Sequence, residues 1–389
     1  MFPSFRMFRK SRRFVLLALC AGVLAACQVG VPGGSGPRVR AGAPIQVALL
    51  LPYGSASAGD EIVARSLENA ARLAASEFEG VELEITVYNT AADPAQAATV
   101  ARQAIQQGAR VIVGPLRSDA AAAVGVAVSN SNVAVLSFSN NTEIAGGNVF
   151  VLGHTFDNTA ARIASYAARQ GRNRIVILHA QNLAGEVARD AVQRAVASTG
   201  GTVAGVVSYE FSQQGVVQAL PEVMSTIRSS DATGLVITAE ASAALPLFAQ
   251  LLPENGLDTE EVRVMGLTRW DVPSQTLELS GLQGGWFALP DPDANAAFGA
   301  RYTAAYGDAP HVLAPIAYDA MRAIAETAAE AGAIGVAELT ASSGFAGANG
   351  VFRLRADGTV ERAMAIATVL ENQVSIIDPA PGRLGASGF

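Results

Sequence analysis

Short polar segments that each follow an apolar run carry the residue types able to grip a small zwitterion. Gly114-Pro115-Leu116-Arg117-Ser118-Asp119 leaves one such run and opens an Ala-rich stretch. A ligand carboxylate there could take the Ser118 hydroxyl together with free backbone N–H groups at a helix start. The alternative is that Ser118 or Asp119 caps the helix, a common role for both residue types. Ser137-Phe138-Ser139-Asn140-Asn141-Thr142 is polar at all but one position, more than a turn requires, so Ser139 and Asn141 are candidates for ligand contact or for capping. Tyr53, in Pro52-Tyr53-Gly54, ends the first apolar run and joins the candidate ligand set. Later in the chain His179-Ala180-Gln181-Asn182, Ala239-Glu240 and Thr268-Arg269-Trp270-Asp271 form a second group. A bound ammonium would need a carboxylate, which Glu240 or Asp271 could supply, because buried charges must be paired. Glu240 also fits a solvated helix start, and Trp270 fits either packing between lobes or a platform on which a ligand stacks.

The same inspection finds no catalytic set. His154, His179 and His311 are the only histidines, and none stands in a metal-binding pair such as HExxH. The chain has no GxSxG elbow, no P-loop pattern and no glycine-rich dinucleotide fingerprint after a strand. The expectation is a binding or regulatory protein with no cofactor and no metal, since catalysis requires coupled acid, base and nucleophile groups.

The polar segments must be held by the elements between them. Ile45 to Leu51 is a continuous apolar run, followed by a helical stretch with Val63, Leu67, Ala70, Ala71, Ala74 and Phe78 on one face. Leu83, Ile85 and Val87 alternate with Glu82, Glu84 and Thr86, the pattern of a strand at or near a sheet edge. Asp93-Pro94 predicts a helix start, and Gly108 its end. Runs at 111–113, 133–136 and 149–152 continue the series. After a helix near 157–169 the pattern restarts with runs at 175–178, 203–208, 235–238 and 262–266. Two strand-and-helix series in succession predict an α/β protein of two doubly wound parallel-sheet lobes.

The rest of the chain reads as return crossings. Gly285-Trp286-Phe287-Ala288 and helices near 294–306 and 313–331 are expected to rejoin the first lobe, and runs at 350–354 and 363–370 the second. The expected N-terminal lobe is thus 44–154 plus 287–341, and the C-terminal lobe 155–286 plus 342–381, joined by a three-strand hinge. Two independent tandem domains are the alternative. In parallel sheets, ligands bind beyond the carboxyl ends of the strands, which is where the polar segments above lie.

Cys27 supplies an address. Arg6, Arg9, Lys10, Arg12 and Arg13 precede an apolar stretch from Phe14 to Ala26, shorter than the roughly 20 residues of a membrane-spanning helix. Leu24-Ala25-Ala26-Cys27 resembles a bacterial lipobox, with cleavage before Cys27 and a lipid on its thiol. Removing residues 1–26 takes away five positive charges and no negative ones, so the formal net charge moves from -7 to -12. An acidic body of this kind is a poor nucleic-acid binder. The remaining cysteine, Cys20, lies in the removed segment, which leaves the body without disulfide or thiol chemistry. Residues 27–43, rich in Gly and Pro, read as a flexible tether reaching at most about 60 Å.

The order Val47-Ala48-Leu49-Leu50-Leu51-Pro52, Ala92-Asp93-Pro94 and Val113-Gly114-Pro115-Leu116 resembles the type I periplasmic binding proteins, including the leucine/isoleucine/valine-binding family. Phe138-Ser139-Asn140, Val151-Leu152-Gly153, the segment Gly284-Gly285-Trp286-Phe287-Ala288-Leu289-Pro290-Asp291-Pro292, Tyr318-Asp319-Ala320, Gly350-Val351-Phe352-Arg353 and Ile377-Asp378-Pro379-Ala380-Pro381 are similar to penicillin-binding protein activator lipoproteins. That resemblance spans about residues 44 to 381. It implies a lipid-anchored periplasmic regulator that stimulates a membrane-bound peptidoglycan synthase by contact, with outer-membrane delivery suggested by Gln28 beside Cys27. The enterobacterial members carry an additional N-terminal helical-repeat domain, whereas here a short tether precedes Ile45. Resemblance to the amino-acid-binding relatives instead implies an ABC-transporter receptor for amino acids or short peptides. Ser118, Ser139 and Asn141 match positions that grip a ligand's main-chain groups in those relatives, while Asn182-Leu183-Ala184 replaces their Tyr-Gly pair and implies a degenerate amino-acid site.

Overall fold

The structure, a computed structural model, describes residues 36–39, 42–341 and 343–385. Cys27 and the signal segment lie outside the described residues. The first lobe begins with β1 (Ile45–Leu51), α1 (Ala58–Glu77), β2 (Leu83–Asn89), α2 (Pro94–Gln106), β3 (Val111–Val113), α3 (Ser118–Ala127), β4 (Val135–Ser137) and β5 (Val149–Val151). Its sheet runs β2-β1-β3-β4-β5, all parallel. β1 and β3 are buried on both faces, which is why they read as unbroken apolar runs. β2 lies at the edge, and its Glu84 faces water, as its alternation predicts.

The second lobe contains α4 (Phe156–Arg169), β6 (Arg174–Ala180), α5 (Leu183–Ser198), β7 (Thr202–Tyr209), α6 (Gln213–Ser229), β8 (Gly234–Ile237), α7 (Leu245–Glu254), β9 (Arg263–Gly266) and β10 (Trp286–Pro290). The chain returns to the first lobe through α8 (Pro292–Tyr306), α9 (Ala314–Ala331) and α10 (Val336–Ala341). It then forms a small antiparallel sheet of β11 (Phe345–Gly347), β12 (Gly350–Leu354) and β13 (Val360–Arg362). β14 (Met364–Leu370) and β15 (Gln373–Asp378) complete a second sheet ordered β15-β14-β10-β9-β8-β6-β7. It is parallel from β10 to β7, while β14 and β15 are antiparallel additions. α9, buried around most of its surface, packs along α1.

Three expectations shift. Trp286-Phe287-Ala288 does not rejoin the first lobe: β10 pairs with β9 and β14, and the crossing falls after Pro290. Trp286 sits edge-on to Tyr166 of α4 at 4.8 Å between ring centres, which fixes it in the second lobe. Conversely, 350–354 stays with the first lobe, because Phe345, Phe352, Leu354 and Val360 join the core built on β1, α1 and α9. The last crossing is therefore at Ala363, between β13 and β14. The third concerns the segment expected to be a free tether, part of which is docked. Val39 N–H donates to Gly332 O, Ile334 N–H to Pro37 O, and Gly36 N–H to a Glu338 carboxylate oxygen.

Candidate functional site at the hinge

The crossings between lobes, near 152–155, 290–292 and 362–364, lie side by side and are bonded to one another. Asn158 of α4 donates its amide to Val360 O at 2.8 Å and accepts Arg362 N–H at 3.2 Å. The Arg362 guanidinium bonds Leu152 O at 2.9 Å and the Asp319 carboxylate of α9 at 2.5 Å. Asp319 also accepts Ala348 N–H at 2.7 Å, and Asp291 N–H donates to Asn349 O at 3.2 Å. Asp319 and Arg362 are buried, and burial pushes the Asp319 carboxyl above the usual carboxylate range against the opposing pull of Arg362. The ion pair and its backbone bonds offset most of the cost of this burial, although the buried Arg362 Nε has no partner.

A cavity of about 280 Å³ opens against this bundle. His154 and Phe156 line it from the first crossing, Pro290 from the second and Asn349 and Met364 from beside the third, with Arg269 from the loop after β9. Asn295 of α8 donates to Asn349 Oδ1 at 3.1 Å, and the Asn349 amide meets His154 Nε2 at 3.3 Å. Burial, then Arg362 and Arg269, push the His154 pKa down to about 3. Arg269 is forked onto Asp271, with Nε to Oδ1 at 2.9 Å and Nη2 to Oδ2. A wider recess on the other side of Thr155 is lined by charges that already have partners, Arg194 with Asp157 and Arg355 with Glu361, both at 2.7 Å. Among the described residues no group of His, Cys, Asp and Glu could hold a metal ion.

Of the segments singled out in sequence as ligand contacts, Thr268-Arg269 reaches this cavity and the others lie elsewhere. Ser118 is the first residue of α3, whose N-cap is Arg117 and has no side-chain capping bond. The neighbouring Gly114 has φ +91 and lies so close to Leu50 O that a Cβ would sit 2.3 Å from it, which explains the glycine at this turn. Arg117 pairs with Asp60 of α1 at 2.8 Å and ties the loop down. In the next loop three of the polar side chains accept the N–H two residues on: Ser137 from Ser139 at 3.1 Å, Ser139 from Asn141 at 3.1 Å, and Asn141 from Glu143 at 3.0 Å. Such turns occupy acceptors that a ligand ammonium would need.

Tyr53 donates its hydroxyl to Glu68 of α1 at 2.9 Å, and burial, with Glu68 second, pushes its pKa above the usual tyrosine range. Asn182 caps α5 through Gly185 N–H at 2.8 Å. Glu240 is exposed at the end of β8, and burial with Glu240 nearby pushes the Tyr209 hydroxyl up to about 12. Trp270 is a correction: it is fully buried in the second lobe's core, 5.4 Å from the Phe287 ring, and neither stacks a ligand nor packs between lobes. Gly266 and Gly285 admit its indole by lacking side chains. None of Tyr53, Ser118, Ser139, Asn141, Glu240 and Trp270 lines the hinge cavity. His154 and Asn349 were missed because they meet only through the crossings; Arg269 stood in a segment already singled out.

Two α/β lobes joined by three crossings beside a cavity have the plan of a two-lobed binding protein. The chain belongs to the periplasmic binding protein family, whose model matches residues 44–373. A putative branched-chain amino acid ABC transporter from Rhodospirillum rubrum has the same fold, with 19% identity over 86% of this chain and 100% of that one, at a TM-score of 0.72. An ABC transporter substrate-binding protein from Desulfitobacterium hafniense, in complex with Leu, shares 17% identity over 86% of this chain and 100% of its own, at 0.62. A solute binding protein of an ABC transporter from Rhodopseudomonas palustris BisB5, in complex with 3,4-dihydroxy benzoic acid, shares 17% over 87% and 98%, at 0.57. At these identities the likeness is one of fold. No curated protein matches the chain in sequence. Among the described residues, no helix is long and apolar enough to cross a membrane.

Proposed function

We propose that this protein is a solute receptor that takes a small carboxylate-bearing molecule, a class that spans amino acids, short peptides and simple organic acids, and hands it to an ABC transporter. The observation that carries this reading is the hinge cavity, framed by all three crossings and by side chains from both lobes. A ligand held there contacts the segments whose torsions set the angle between lobes, so occupancy and closure are coupled. Its volume of about 280 Å³ is near the lower end of small-molecule sites. The relatives from D. hafniense and R. palustris hold Leu and 3,4-dihydroxy benzoic acid, both of which carry a carboxylate. No catalytic step is assigned. A thermal-shift panel of amino acids, dipeptides and simple organic acids tests the reading. A true ligand at 100-fold its Kd should raise Tm by about 3 °C or more, and silence across the whole panel would remove it.

A second reading makes the same body a lipid-anchored activator of a membrane-bound peptidoglycan synthase, tethered to the outer membrane through Cys27. It is favoured by the Gly284 to Pro292 segment and by the engagement of Ser139 and Asn141 within their own loop. Purified protein should then capture a bifunctional synthase and raise its glycan polymerisation. Failure of both at saturating protein would exclude it.

A further inference from the structure

Arg269 carries the one lasting charge among the side chains that line the hinge cavity, whose Thr159 and Thr268 hydroxyls donate to the backbone oxygens of Thr155 and Ala239. Asn295 Nδ2 donates to Asn349 Oδ1, which turns the Asn349 NH₂ toward His154 Nε2. With the two amides so oriented the NH₂ donates to Nε2, which assigns the ring proton to Nδ1. His154 lines the cavity, and its Nδ1 has no hydrogen-bond partner among the described residues. Burial beside Arg362 and Arg269 keeps the ring from taking a second proton, so this donor is neutral and fixed. Arg269 uses Nε and Nη2 on Asp271 and leaves Nη1 free. Asp271 is outside the lining, and among the described residues that line the cavity none is acidic. The remaining wall is largely apolar, with Phe156, Leu267, Ala288, Val312 and Met364.

Resting on the solute-receptor reading, we infer that the cavity selects a small carboxylate with an apolar body and no ammonium group, held by His154 Nδ1–H and Arg269 Nη1. A carboxylate accepts from both donors at once. An ammonium placed against them meets donors and a guanidinium, with no acidic side chain in the lining to neutralise it. This sets the cavity apart from an amino-acid site, which must satisfy both charges of its ligand.

Three probes of one shape separate the charges: 4-methylpentanoate, leucine and 3-methylbutylamine, titrated calorimetrically into the full chain at pH 7. The acid should bind at least about tenfold more tightly than leucine, and the amine should not bind at millimolar concentration. His154→Leu should weaken the acid by about tenfold or more, whereas His154→Asn, whose amide NH₂ falls near the imidazole Nδ1, should stay within about threefold of the parent. Arg269→Gln, on the rim, should also cost about tenfold and serves if His154→Leu does not fold. Leucine binding more tightly than the acid, or an undiminished His154→Leu or Arg269→Gln variant, overturns the inference and leaves the solute-receptor reading standing. Absence of any ligand across the wider panel above brings down both.

Discussion

At the residue scale, His154 shows how surroundings decide the chemistry of a side chain. An unperturbed histidine takes its second proton near pH 6.5, while here burial and two guanidinium groups lower this to about 3. As pH falls through 6.5 the unfolded chain binds a proton that the native protein refuses until about 3. Stability is therefore lost toward acid across that window, by up to about 1.4 kcal/mol per pH unit from this group. His154→Asn has no such proton to bind. Denaturant unfolding at pH 7, 5 and 4 should show the variant gaining on the parent as pH falls, and a constant gap would refute the assignment. Gly266 makes a steric counterpart: an added Cβ would lie 2.1 Å from Trp270 Nε1. Gly266→Ala should destabilise by about 1–3 kcal/mol in urea melts, with the loss concentrated in the second lobe. Sequence spacing could point to Ser139 and Asn141, because polar residues crowd there. It could not reveal that each of their acceptors takes an N–H from two residues on, nor that Asn349 meets a histidine 195 positions away.

At the element scale, local signals were legible and lobe membership was not. Asp93 accepts Gln96 N–H at 2.7 Å with Pro94 behind it, as a helix start predicts. Asp93→Ala should cost about 1 kcal/mol and Asp93→Asn much less, measured by thermal or urea unfolding. The central parallel strands came close to their true limits because strands buried on both faces read as unbroken apolar runs. β10 was legible as a strand for the same reason, since each of its five residues is buried. Nothing in such a run says which sheet it enters, because that choice depends on partners distant in sequence, Met265 and Thr368 opposite Trp286. β12 misled in the opposite direction: its alternation is real, yet its buried face, Phe352 and Leu354, meets the first lobe's core.

At the scale of the whole molecule, the buried pair of Asp319 and Arg362 joins the last crossing to α9, and Arg362 reaches the first crossing through Leu152 O. Asp319→Ala strands a buried guanidinium and should destabilise by about 3–5 kcal/mol. Arg194→Ala, which breaks a largely exposed pair with Asp157, should stay within about 1 kcal/mol in the same denaturation assay. The two-lobed α/β plan followed from the repeated strand-and-helix order, while the hinge that makes the plan useful depends on contacts spanning about 200 positions, such as Asn158 with Val360. Neither lobe is a continuous stretch of chain: the first sheet ends at Val151 but its core needs α9, and the second needs β14 and β15. A single proteolytic cut between Pro290 and Pro292 would thus yield two fragments, each holding parts that the other must cover. The nicked protein should travel as one particle and come apart only on unfolding, and no gene encoding just one half would specify a lobe.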